Sequence, residues 1–201
     1  MPRELCTGCV RPLSQCFCKP LNSETACMDL IILQHPTEVR HPLNTARILE
    51  LGINNCRTFI DEIFTESSEP HEIISNQKSY LLFPSENAAT SDEVLNRETP
   101  KTLVILDGTW RKAKKILFLN PWLQQLPCIA LKNQPASRYR IRKAPGKESL
   151  STVEATVALL REASRNEEAH QPLLDAFEQM IQLQINAMGS EIYQKNYPTK
   201  H

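Results

Sequence analysis

The sequence predicts an α/β fold, a mostly parallel sheet flanked by helices, with a small cysteine-rich module at its amino terminus. Three observations predict it. Short apolar runs of strand length alternate with segments of helical period, the rhythm of βαβ units. The central run, Leu103-Val104-Ile105-Leu106, has the β-branching of a strand buried on both faces and is broken by Asp107-Gly108. Finally, four of the seven cysteines fall between positions 6 and 18, in a stretch too poor in apolar residues to fold by burial alone.

Cys6-x-x-Cys9 followed by Cys16-x-Cys18 supplies two thiol pairs from two tight turns, the arrangement that tetrahedral zinc coordination requires. Four thiolates leave no open coordination position, so such a zinc is structural. A flexible reduced tail is the alternative, and a redox C-x-x-C lacks its strand–helix context here. This module is bounded at residues 1–22. Cys27, Cys56 and Cys128 stand singly beside apolar runs and read as buried small hydrophobes.

Residues 28–33 form the first core strand, ended by Gln34-His35-Pro36. Residues 42–51 carry the apolar spacing of a helix, with Gly52 where a left-handed C′ residue belongs. His35 and His41 flank the intervening loop and read as solvated. Strand character resumes at 56–60 and again at 80–83 before Pro84, separated by a polar, acidic stretch, 61–78, that reads as a loop with one short helix. Ser91 caps one or two helical turns, and Pro100 leads into the central strand, 102–106. A helix follows over 110–119, stopped by Asn120-Pro121, then a short strand at 127–131 and a long loop, 132–148. Ser151 with Glu154 has the capping-box form and opens the longest helix signal; a last amphipathic helix spans 172–188. The main domain is therefore 23–189. The tail, 190–201, is polar and expected to fray, with Tyr193 and Tyr197 able to dock.

At 201 residues the chain has room for one well-cored domain and an appendage. Lysine plus arginine (23) balances aspartate plus glutamate (23), so a polyanionic partner has to be met by local charge segregation. No run approaches the ~18 apolar residues of a membrane span, and no signal peptide opens the sequence, so a cytoplasmic protein with reduced thiols is expected, with no membrane partner. Neither G-x-G-x-x-G nor a phosphate-binding G-x-x-x-x-G-K loop occurs.

Local segregation does exist. Arg111, Lys112, Lys114 and Lys115 crowd one short helix, and Arg138, Arg140, Arg142, Lys143 and Lys147 fall within ten residues around Tyr139. Alternating arginine with an aromatic offers phosphate pairing beside a stacking surface, which points to nucleic acid; a solvated helix face and a charge-protected edge strand are the alternatives. The junction at Asp107-Gly108 lies where open α/β sheets bind ligands, at a strand's carboxyl end before a helix amino terminus. Asp107 can meet a substrate there or merely cap the helix, and Trp110 can wall a pocket or simply pack.

Several pieces together resemble the DTW-domain family, close to its bacterial tRNA-uridine aminocarboxypropyltransferases. They are the cysteine cluster, Gln34-His35-Pro36 with Asn44-Thr45-Ala46-Arg47, Asp107-Gly108-Thr109-Trp110-Arg111-Lys112-Ala113, and Ser137-Arg138-Tyr139-x-Ile141-Arg142-Lys143 leading to Ser149-x-Ser151-Thr152-x-Glu154. The resemblance implies a fold similar to the SPOUT superfamily, with a carboxyl-terminal trefoil knot cradling S-adenosylmethionine. It implies transfer of that donor's 3-amino-3-carboxypropyl group to N3 of a uridine in the tRNA variable loop, with release of methylthioadenosine. Asp107 is then the candidate base for the N3 proton, or a group that orients a substrate. By the same analogy Leu106, Gly108, Leu131, Ser149 and Thr152 contact the donor. Trp110, Arg111, Lys112, Arg138, Tyr139, Arg140, Arg142 and Lys143 meet the RNA, and Cys6, Cys9, Cys16 and Cys18 hold zinc in a module that extends the RNA surface. A knotted RNA methyltransferase and a non-catalytic zinc-dependent RNA-binding protein are the competing expectations. Oligomeric state is not legible in the sequence.

Overall fold

The computed structural model describes residues 4–141 and 150–197. Arg142, Lys143, Lys147 and Ser149, named above as candidate contacts or as part of the basic run, lie outside the described residues. Six strands, β1 (Asp29–Gln34), β2 (Cys56–Ile60), β3 (Ser79–Leu82), β4 (Ala89–Thr90), β5 (Thr102–Asp107) and β6 (Cys128–Ala130), form one sheet in the order β2-β1-β5-β3-β6-β4. Every pairing is parallel. The helices are α1 (Ala46–Gly52), α2 (Glu69–Ser75), α3 (Ser91–Leu95), α4 (Trp110–Leu119), α5 (Thr152–Ser164), α6 (Gln171–Met188) and α7 (Ser190–Asn196).

Period-two alternation divides the core. Leu30, Ile32, Leu103 and Ile105 face α1, α5 and α6 on one side, while Ile31, Leu33, Val104 and Leu106 face α2 and α4 on the other. Strands covered on both faces need no polar alternation, which is why β1 and β5 read as continuous apolar runs. The paired neighbours β1 and β5 send the chain in opposite directions, β1 through α1 to β2 and β5 through α4 to β6. Such a divergence leaves a crevice at the strands' carboxyl ends. Gln34 and Asp107, the last residues of β1 and β5, are partners in register at that point.

The cysteine module is docked on this core. Phe17 is buried with the α1–α5–α6 cluster, the Arg47 guanidinium donates to the Gly8 carbonyl at 2.6 Å, and Gln179 of α6 donates to the Cys16 carbonyl at 3.2 Å.

Several local expectations are corrected. Gly52 ends α1 without a left-handed φ; a Cβ there would overlap Leu173, so glycine serves the close packing of α1 on α6. The cap of α3 is Thr90, whose backbone N–H donates to Glu93, whereas Ser91 is buried and accepts from the Lys132 N–H. Cys27 is exposed and Cys56 and Cys128 are half-buried. Within the tail, expected to fray, Ser190–Asn196 forms α7, and Tyr193 and Tyr197 pack against the core. No helix among the described residues is long and apolar enough to cross a membrane.

Candidate active site

Asp107 closes β5 with its carboxylate turned inward. Only 5% of the residue is exposed, Thr152 donates its hydroxyl to Oδ1 at 2.6 Å, and the Gln34 amide donates to Oδ2 at 2.8 Å. The capping role open to Asp107 falls instead to Thr109, whose hydroxyl accepts from the Lys112 N–H at 3.4 Å. Gly108 makes the turn between them: its φ of +152° suits glycine, and a Cβ would sit 3.0 Å from that of Lys112. Burial pushes the Asp107 carboxyl above its ordinary 3.8, opposed by the hydrogen bonds from Thr152 and Gln34, and the neighbouring Glu38 charge adds to the upward push. A carboxylate so placed is a stronger base than one at the surface.

Gln34, an amide ending an apolar strand, is not among the residues the sequence nominates for the site, yet it holds the Asp107 carboxylate. Because Nε2 faces two acceptors, Asp107 Oδ2 and Asn44 Oδ1 (3.3 Å), the amide orientation is set by the network. Asn44 is held in turn by the Arg47 N–H at 3.2 Å.

An apolar cleft opens beside Asp107 over the ends of β5, β3 and β6. Leu106, Gly108, Leu131 and Thr152 line it together with Trp110, so four of the five residues nominated for the donor share one surface. Trp110 is 37% exposed and edges against Phe83 at 5.8 Å, forming part of the rim. Thr152 reaches the cleft because the capping box places the first turn of α5 there: Ser151 N–H donates to Glu154 Oε2 at 2.8 Å and Ser151 Oγ accepts from the Glu154 N–H at 3.3 Å. Glu154 also accepts from Ser137 Oγ and from the Arg138 N–H at 2.6 Å. One buried carboxylate thus joins the basic loop to the helix start.

The basic residues separate into two groups. Arg111 and Arg138 are exposed and make no ion pair among the described residues. Lys112 is paired with the buried Glu38 at 2.6 Å, and Arg140 with Glu178 of α6. Tyr139 packs edge-on against Phe177 at 5.3 Å.

Cys6, Cys9, Cys16 and Cys18 bring their sulfurs within 4.8 Å of one another, and no cysteine is disulfide-bonded. Separations of 3.4, 3.8 and 3.9 Å bracket the ~3.8 Å edge of a tetrahedron with ~2.3 Å metal–sulfur bonds. The four thiols can hold a metal ion, and an all-sulfur tetrahedron suits zinc.

The DTW domain family matches residues 3–185. The chain belongs to that family. Within it, this DTW chain is 30% identical over 206 residues to tRNA-uridine aminocarboxypropyltransferase 2 of Drosophila melanogaster, covering 99% of this chain and 82% of that protein. It is also 30% identical to the Macaca fascicularis protein of the same name, over 91% of this chain and 64% of the relative. The similarity to tRNA-uridine aminocarboxypropyltransferase A of Arabidopsis thaliana is 27% over 57% of this chain and 50% of the relative. No solved structure matches the chain significantly.

Proposed function

We propose that this DTW chain is a tRNA-uridine aminocarboxypropyltransferase, which alkylates N3 of a uridine in the tRNA variable loop. The observation that carries the reading is the buried Asp107 carboxylate, held by Gln34 and Thr152 at the edge of an apolar cleft, in a chain 30% identical across 99% of its length to a relative so named. S-adenosylmethionine supplies the 3-amino-3-carboxypropyl group on a sulfonium, a leaving group that needs no metal activation. The cleft fits such a donor: Leu106 and Leu131 offer an apolar wall for a purine, Gly108 lets backbone approach closely, and Thr152 gives a polar edge.

Uridine N3–H is weakly acidic, so N3 must lose its proton as the new carbon–nitrogen bond forms. Asp107 is the acceptor. Because it is almost fully covered while Thr152 lines the cleft, Thr152 passes its hydroxyl proton to Oδ1 as it receives the one from N3. Arg111 and Arg138 take RNA phosphate, joined in this reading by Arg142 and Lys143. Ser149 belongs with the donor contacts, and Trp110 forms a platform for an unstacked base. Zinc on Cys6, Cys9, Cys16 and Cys18 is structural. A SPOUT-like knot threaded through the carboxyl-terminal half accompanies the same reading.

Mass spectrometry of nucleosides from unmodified tRNA incubated with the protein and S-adenosylmethionine tests it. The expected result is aminocarboxypropyl-uridine together with methylthioadenosine. A methylated base with adenosylhomocysteine would reassign the chain as a methyltransferase, and tRNA binding with no product would leave a binding module.

A further inference from the structure

A second depression lies on the other side of the Gln34–Asp107 pair, over β1 and β2. One wall is the cysteine module, with Cys9, Arg11 and Phe17; the other is the loop and helix start after β1, with Arg40, Asn44 and Arg47. Gln34 lines this groove just as Thr152 lines the cleft over β5, β3 and β6, and both bond the same carboxylate. A group-transfer enzyme needs two substrate sites that meet at its reacting group, and here two depressions flank Asp107. Three arginines, Arg11, Arg40 and Arg47, line the second.

Buried polar atoms that lack a partner gather at the groove. Among the described residues these are Arg11 Nη1, Arg47 Nε and Thr58 Oγ1, whose residues line the groove, and Gln15 Oε1, whose residue lines its continuation past Arg11 and Arg40. Native interiors leave few such atoms, and a cluster of them marks a place that a polar ligand or ordered water completes. The cations have separate tasks. Arg11 lies over the Phe17 ring at 5.7 Å, while Arg47 is tied to Glu50 and to the Gly8 carbonyl. Arg40 is exposed and has no ion-pair partner among the described residues.

We propose that this groove is the acceptor subsite: it takes the target nucleotide of the RNA, with a flanking phosphate on Arg40 and the uracil directed past Gln34 to the Thr152 hydroxyl at the edge of the donor cleft. The inference rests on the aminocarboxypropyltransferase reading and adds the side from which RNA enters. The cysteine module is then one wall of the substrate site, and the base approaches Asp107 from the β1 side while the donor approaches from the β5 side.

The test is steady-state kinetics of Arg40→Ala and Arg40→Glu on tRNA, beside Lys101→Glu, which reverses a charge at the opposite end of β5. Arg40→Glu is expected to raise KM for tRNA about tenfold and leave KM for S-adenosylmethionine unchanged. Arg40→Ala lowers the slope of log KM against log salt by about one, the signature of one lost phosphate contact. Lys101→Glu changes neither. Independently, tRNA with 4-thiouridine at the modified position is expected to crosslink within residues 9–17 or 34–44. If the wild type forms product but Arg40→Glu shifts neither KM nor salt slope, or no crosslink falls within residues 9–17 or 34–44, the groove assignment is overturned and the activity stands. If the wild type makes no aminocarboxypropyl-uridine, both fall.

Discussion

Thr152 and Asp107 are 45 residues apart in sequence, yet the threonine hydroxyl donates to the aspartate carboxylate at 2.6 Å. The bond joins the carboxyl end of a central strand to the amino end of α5. It explains why an acid buried to 5% exposure remains chemically connected to an open cleft.

Asp107→Asn is expected to retain the fold and to bind S-adenosylmethionine within about threefold, while turnover falls roughly 100-fold or more, the usual scale for a lost general base. Product formation measured beside a melting curve checks it. A variant that keeps more than a tenth of wild-type turnover would falsify the base assignment.

The pH dependence follows from the upward shift. A carboxyl whose folded pKa exceeds its unfolded value gives its full stabilisation at pH below the ordinary 3.8, and that stabilisation is lost as pH rises through the folded value. Asn does not titrate. The melting temperature of Asp107→Asn minus that of wild type therefore rises with pH over the window above 3.8 and then levels off. Wild-type turnover climbs through the same window as the base ionises. A difference that shrinks with pH means burial does not dominate at this carboxyl.

Thr152→Val keeps the shape of the cleft wall and removes the hydroxyl. Turnover is expected to fall at least tenfold with KM for S-adenosylmethionine altered less than threefold. An equal rise in that KM with unchanged kcat would make Thr152 a donor contact and nothing more.

Glu154→Ala removes the acceptor shared by the Ser151 and Arg138 N–H groups and the Ser137 hydroxyl. Stability is expected to drop by roughly 2 kcal/mol, read from the denaturation midpoint, because a cap and buried loop bonds are lost together. A drop under about 0.5 kcal/mol would show that packing alone holds the loop.

Metal analysis of the purified protein is expected to find one zinc per chain, and Cys16→Ser to abolish it. Since the module is anchored through Phe17, Arg47 and Gln179, chelation should lower the melting temperature by roughly 10 °C, several kcal/mol at about 2–4 °C per kcal/mol for this size. Full-strength binding of tRNA by the metal-free protein would remove the module from the RNA surface.

Sequence by itself determined what depends on near neighbours. Five of the six strands, the span of α4 and the capping box of α5 were legible, because apolar period and cap chemistry act over a few residues. The two-residue β4 was not, since two residues carry no period. The cysteine spacing announced a metal site for the same local reason, and Asp107 stood out as a break after a buried run. Only the tertiary structure decided which groups Asp107 meets. The order β2-β1-β5 sets Gln34 beside it, and the long return to α5 brings Thr152. Charge was equally beyond reach: Lys112 and Arg140 look free in the sequence, yet each is paired to a carboxylate far away in the chain, while Arg40 has no ion-pair partner among the described residues. Whether a cation is free depends on neighbours supplied by other elements, and spacing along one segment carries no information about them.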